Sequence, residues 1–187
     1  MNYKLNDKDL IYNNIPLKIL SYLSKNRADD SIYGSKIAKD LNISQGGAST
    51  ILKQMKDTGI IDCKTVGKTV FYSVGTNNPM IKSFRVFENL LELNNIFQSI
   101  KEISRRIVLF GSCAKGTDTR DSDIDVFIVA DQDCIEQIRH CISEYKIDRD
   151  IKPVIIDSIE LIDMEENDKI FMAEIDKGII IWDGNDE

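Results

Sequence analysis

Apolar positions change period several times along this chain, and the changes mark out its elements. Up to about residue 58 they recur at helical spacing, then two short alternating runs follow, then a long helical stretch. Leu17, Leu20 and Leu23 lie down one side of Ile15–Lys25, which predicts a first helix, with a loop over residues 26–31. Tyr33, Ile37 and Leu41 predict a second helix, ended by Asn42. Ser44 is placed to cap a third, in which Ala48, Ile51, Leu52 and Met55 follow the i, i+3, i+4, i+7 rule and which Gly59 stops. Residues 60–65 and 68–74 read as the two strands of a hairpin around Val66-Gly67.

Pro79 then opens a helix whose period runs unbroken over residues 80–104. Val86, Leu90, Leu93, Phe97 and Ile100 form an a/d-like seam, while Phe84, Phe87 and Leu91 lie off it, so more than one side is expected to be buried. A connector packed against two domains and a homodimer helix suit this pattern equally. Beyond it, residues 107–110 and 126–129 are short, β-branched or aromatic runs that read as buried strands. Residues 131–145 have helical spacing through Ile135, Ile138 and Ile142, residues 151–156 form a strand, 158–176 an acidic helix, and 178–182 a last strand.

Charge separates the two halves. Residues 1–75 carry 11 Lys+Arg against 7 Asp+Glu, a net +4, while residues 76–187 carry 13 against 24, a net −11. A mildly basic module joined to an acidic one is expected: residues 1–76, a connecting helix over 77–104, and residues 105–187. No apolar run approaches membrane-spanning length, and the Asn/Lys/Asp-rich start does not read as a signal peptide. Cys63, Cys113, Cys134 and Cys141 are scattered without a Cys-x-x-Cys pair, which points to a reducing cytoplasm rather than to a zinc site or disulfides. The lone histidine, His140, has no partner cluster and is read as a surface residue.

The strongest chemical signal is the stretch from Gly111 to Asp125 between two buried strands. Side chains two apart in a strand share a face, so Asp123 and Asp125 are expected to project together. Paired carboxylates repel unless a proton or cation relieves them, and Mg²⁺ (or Mn²⁺) suits one or two carboxylates completed by phosphate and water. Gly111 allows close backbone approach, and Ser112 offers a hydroxyl and N–H groups to phosphate.

This stretch resembles the nucleotidyltransferase superfamily of DNA polymerase beta, in its small antitoxin-like and aminoglycoside-modifying branch. That motif is apolar-Gly-Ser, then Asp-apolar-Asp-apolar, with Ala114, Gly116, Ser122 and Asp123 also matching and Lys115 standing for Arg. The resemblance implies an α+β domain with a mixed sheet flanked by helices. It also implies an NTP held by Gly111, Ser112, Lys115 and Ser122, and a metal held by Asp123 and Asp125. Such domains place a third carboxylate on a later strand, as metal ligand and general base. Here Lys152 falls at or near that position, with Asp150 two residues earlier on the same face. A working enzyme using Asp150 and a nucleotide sensor with Lys152 beside the acid pair are both physically reasonable. The acceptor for transfer is open between a protein side chain, an RNA end and a small molecule, and a separate toxin is a further partner.

Three helices and a hairpin are in turn the order of a winged helix-turn-helix, which residues 37–44 and 64–72 resemble. The resemblance implies DNA binding by Ser44, Gln45, Ser49, Thr50 and Lys53 from the third helix. Lys56, and Lys64 and Lys68 of the hairpin, would neutralise phosphates. Gly46-Gly47 is expected to let the backbone approach DNA.

Overall fold

A computed structural model describes residues 14–26 and 31–184. The chain divides between Glu88 and Asn89 into two units, each with its own apolar core. The division falls inside the long helix rather than at either of its ends: buried Glu88 accepts from Ser24 of the first unit, whereas buried Asn89 donates to Asp118 of the second.

The first unit contains α1 (Ile15–Lys25), α2 (Gly34–Asp40), α3 (Gln45–Asp57) and the antiparallel hairpin β1 (Asp62–Val66) and β2 (Thr69–Ser73). Helix α2 ends where Asn42 takes a left-handed conformation (φ 53°). Helix α3 begins at Ser44, whose hydroxyl accepts the Gly47 N–H. Ile19, Leu23, Ile37, Leu52, Ile61 and Ile81 fill the core. Residue 32 reaches β2 through its carbonyl, which accepts the Tyr72 N–H at 2.8 Å. Of the predicted 26–31 loop, residues 27–30 lie outside the described residues.

The long helix α4 (Pro79–Ile100) is shorter than the 80–104 expected, because the chain tightens into a 3₁₀ turn at Lys101–Ile103. Its predicted seam behaves as expected at Leu93, Phe97 and Ile100, all buried. Its second buried side differs from expectation: Phe87 is 45% exposed, and Ile81, Arg85, Glu88 and Asn89 are the buried residues there. Periodicity of apolar residues alone misses a buried side built partly from polar ones.

The second unit is a four-stranded mixed sheet in the order β5-β4-β3-β6, from β3 (Arg106–Leu109), β4 (Ile124–Val129), β5 (Ile151–Ile156) and β6 (Ile179–Asp183). Strand β3 is antiparallel to both β4 and β6, and β4 runs parallel to β5. A short helix α5 (Gly111–Lys115) follows β3, and α6 (Ile135–Glu144), preceded by a 3₁₀ turn, crosses from β4 to β5. One sheet face, with Ile107, Leu109, Ile124, Val126 and Ile128, packs on α4 and α6. The other face carries Val108, Phe127, Val129 and Ile156 against Ile175 and Phe171. The acidic helix expected over 158–176 is two helices, α7 (Ser158–Asn167) and α8 (Lys169–Ile175). Asp168 interrupts the helical backbone (φ −123°, ψ 60°) and caps α8 through the Phe171 N–H, a start signal inside the predicted helix.

Candidate functional site

Strand β4 turns its odd-numbered residues to the Phe127 face, so Asp125 sits at the beginning of that row, with Asp123 just before the strand. The carboxylate of Asp125 lies against Gly111: a Cβ at Gly111 would stand 2.2 Å from Asp125 Oδ2. Gly111 also has φ +67°, so both backbone conformation and space demand glycine. The sequence reading assigned this glycine to ligand approach, but the group it admits in the structure is the acid itself. Burial raises the Asp125 carboxyl above its ordinary value, and the charge of Asp123 raises it further. These two acids therefore carry an electrostatic penalty that a bound cation would relieve.

An open cavity of about 440 Å³ adjoins Asp123, lined by Arg120, Asp121, Ser122 and Asp123 on one wall and by Asp148, Arg149 and Asp150 on the other. The Ile124 N–H donates to the Asp150 carbonyl at 2.9 Å, which ties the two walls together. Ser122 closes a turn: its hydroxyl accepts the Thr119 N–H, and its own N–H donates to the Thr119 carbonyl. Lys152 stands opposite Asp125 in the parallel β4–β5 register, and its Nζ lies 3.9 Å from Asp150 Oδ2. Asp150 itself is 81% exposed at its side chain.

Lys115 points elsewhere than to the cavity lining, donating to Glu174 of α8 at 2.7 Å. Hydrogen bonds from Lys115 and Lys177 hold the Glu174 carboxyl down to about 2. Ser112, inside α5, is half-buried.

Sequence reasoning missed the buried polar cluster behind the loop. Asp118 is fully buried and accepts from Arg149 Nη1 at 2.9 Å and from Asn89 Nδ2 at 3.0 Å. Asn89 Nδ2 also donates to the Cys113 carbonyl, while Arg149 Nη2 donates to Asn89 Oδ1 and Glu92 Oε2. Burial opposes the charge on Arg149, but Glu92, Cys113 and Asp118 outweigh it and raise its pKa. An Asp midway along a polar loop and an Arg sixty residues after an Asn carry no local signal of such a meeting.

The profile of the family described as polymerase beta, nucleotidyltransferase, matches residues 92–187, just over half of the chain. The chain belongs to the polymerase beta nucleotidyltransferase family. The match begins just inside the second unit, so the domain of this family is the unit that holds Gly111, Asp123 and Asp125. Among solved structures, the chain is similar to a "putative nucleotidyltransferase from Sulfolobus solfataricus", at 16% identity over 58% of this chain and 93% of that one, with a TM-score of 0.39. The comparison with curated proteins found no match. Nucleotidyltransferase domains generally use an NTP and a divalent metal. Among the described residues no group of three or more His, Cys, Asp or Glu side chains is arranged to hold a metal. A donor set of two carboxylates fits a hard cation that draws its other ligands from phosphate and water.

In the first unit, Ser44, Gln45, Ser49, Thr50, Lys53, Lys56, Lys64 and Lys68 are all exposed. Two have local partners: the Ser44 hydroxyl caps α3, and the Thr50 hydroxyl donates to the Gly46 carbonyl. A Cβ at Gly47 would lie 2.9 Å from Ser44 Oγ, so that glycine serves the cap, whereas Gly46 faces open space. No described helix is long and apolar enough to cross a membrane.

Proposed function

We propose that the second unit binds a nucleoside triphosphate with its divalent cation and transfers the nucleotidyl group to a hydroxyl acceptor. The observation that carries this reading is the Asp125 carboxylate seated on Gly111 with Asp123 beside it, in a chain of this family. Asp123 and Asp125 would hold Mg²⁺ or Mn²⁺, which supplies charge neutralisation at the phosphates. Ser112 and Ser122 bind phosphate oxygens. Lys115 joins them by exchanging its surface pair with Glu174, a contact that holds it only weakly. The acceptor oxygen bonds to the α-phosphorus, the bond to the bridging oxygen breaks, and pyrophosphate leaves. The hydroxyl proton passes to a carboxylate, for which Asp150 on the cavity wall is our candidate.

Two observations favour a second reading. Lys152 stands opposite Asp125, and the acid pair has no third carboxylate grouped with it among the described residues. On that reading the unit binds nucleotide without transfer, as a sensor or as the antitoxin-like partner of a separate toxin. Incubation with α-labelled NTP, Mg²⁺ and cell lysate separates the two. Label transfer that disappears in Asp123→Ala establishes the enzyme, and nucleotide binding with no transfer establishes the sensor.

We further propose that the first unit is a winged helix-turn-helix that binds DNA through α3 and the β1–β2 hairpin. The exposed Lys53, Lys56, Lys64 and Lys68 support it. Binding in a gel shift should weaken in the Lys53→Ala, Lys68→Ala double variant and with rising salt. Binding indifferent to both would refute it.

A further inference from the structure

The segment from Gly111 to Asp125 bears every group assigned above to the nucleotide and metal, and it connects β3 to β4. Two buried side chains from outside the segment hold it from behind. Asn89 grips the Cys113 carbonyl and Asp118 Oδ1, while Arg149 grips Asp118 Oδ2 and is itself bound by Asn89 and Glu92. Asp118 leads directly into the Thr119–Ser122 turn that delivers Asp123. Arg149 leads directly into Asp150, whose carbonyl accepts the Ile124 N–H. Arg149 is thus both a wall residue of the cavity and the side chain that holds Asp118, which leads into the opposite wall.

We propose that Arg149, through its buried ion pair with Asp118, is a positioning residue that sets the spacing of Asp123 and Asp125 for a metal–nucleotide complex. This inference rests on the nucleotide-binding reading of the same site. A core of ordinary apolar residues would hold a loop in place without fixing its register. A planar guanidinium with several fixed donors fixes direction as well as distance, because each bond fails when the loop rotates. A lysine keeps the charge but has no fork and cannot reach Asp118, Asn89 and Glu92 together.

The test uses the full chain and titrates Mn²⁺ in the presence of ATP, GTP, CTP or UTP, with the free ion read by electron paramagnetic resonance. Arg149→Lys should bind Mn²⁺–NTP about ten- to a hundredfold more weakly, the loss typical of an outer-shell partner, at a thermal midpoint close to that of the parent. Asp118→Asn should show the same loss. The double variant Asp118→Asn, Arg149→Gln removes both charges together and serves where a single variant does not fold; it too should bind weakly while melting cooperatively. Folded Arg149→Lys or the double variant binding within twofold of the parent, while Asp123→Ala abolishes binding, overturns the positioning role alone. A parent protein that binds no Mn²⁺–NTP overturns the nucleotide-binding reading, and the positioning role with it.

Discussion

Helix α3 and the Gly111–Asp125 segment carry candidate chemistry in opposite ways. On α3 the polar side chains are exposed and in place as soon as the helix forms, since Gln45, Ser49 and Lys53 share one face through a four-residue step. In the segment Lys115 and Asp123 are exposed, but Gly111, Ser112, Ser122 and Asp125 are half-buried and Asp118 is fully buried, and Asp118 and Asp125 depend on Asn89, Arg149 and Gly111 to keep their places. The difference teaches that a surface of this kind tolerates substitution one residue at a time. A site cut into a core does not, because each buried polar group relies on a partner far away in the chain.

The sharpest way to break the comparison is Arg149→Met. It leaves Asp118 charged and buried, which should destabilise the second unit by about 3–5 kcal/mol in denaturant unfolding. A change under about 1 kcal/mol, the range of ordinary surface pairs, would erase the contrast. Next comes Gly111→Ala. The left-handed backbone should cost about 1–2 kcal/mol, and the new Cβ should expel the Asp125 carboxylate, abolishing Mn²⁺–NTP binding even in folded protein. Retained binding would show that Asp125 does not need its seat.

Ser44→Ala should cost about 1 kcal/mol through the lost cap of α3, visible as faster amide exchange at Gly47 with no change in Mn²⁺ binding. The smallest effect has the opposite sign. Asp123→Asn should raise the thermal midpoint slightly in metal-free buffer near neutral pH, because it removes a charge that disfavours ionised Asp125. An acid whose folded pKa is raised weakens folding as pH climbs from its ordinary value through the folded one. The gain from Asp123→Asn should therefore fade as pH falls below 3.8, where Asp125 is protonated in both states. A gain that persists there would locate its cause elsewhere.

Elements with a clean period and a stop signal were legible. Helix α1 runs over Ile15–Lys25 as its leucines imply, Asn42 and Gly59 adopt the left-handed conformations that end α2 and α3, and β5 occupies residues 151–156. The break at Asp168 was not legible, because residues on both sides of it are helical and a single Asp reads as readily as a surface position. Nor was the exposure of Phe87, since an aromatic off a seam is buried only if a neighbour arrives to cover it.

What the residues determined unaided was local: periods, caps, the glycine-serine bend and two acids two positions apart. Those depend on neighbours within a turn or a strand step, where backbone geometry leaves few choices. Only the tertiary structure brought Asn89, Asp118 and Arg149 into one buried cluster. Sheet register and burial select partners across tens of residues, and a buried charge reveals its purpose only once its counter-charge is in place.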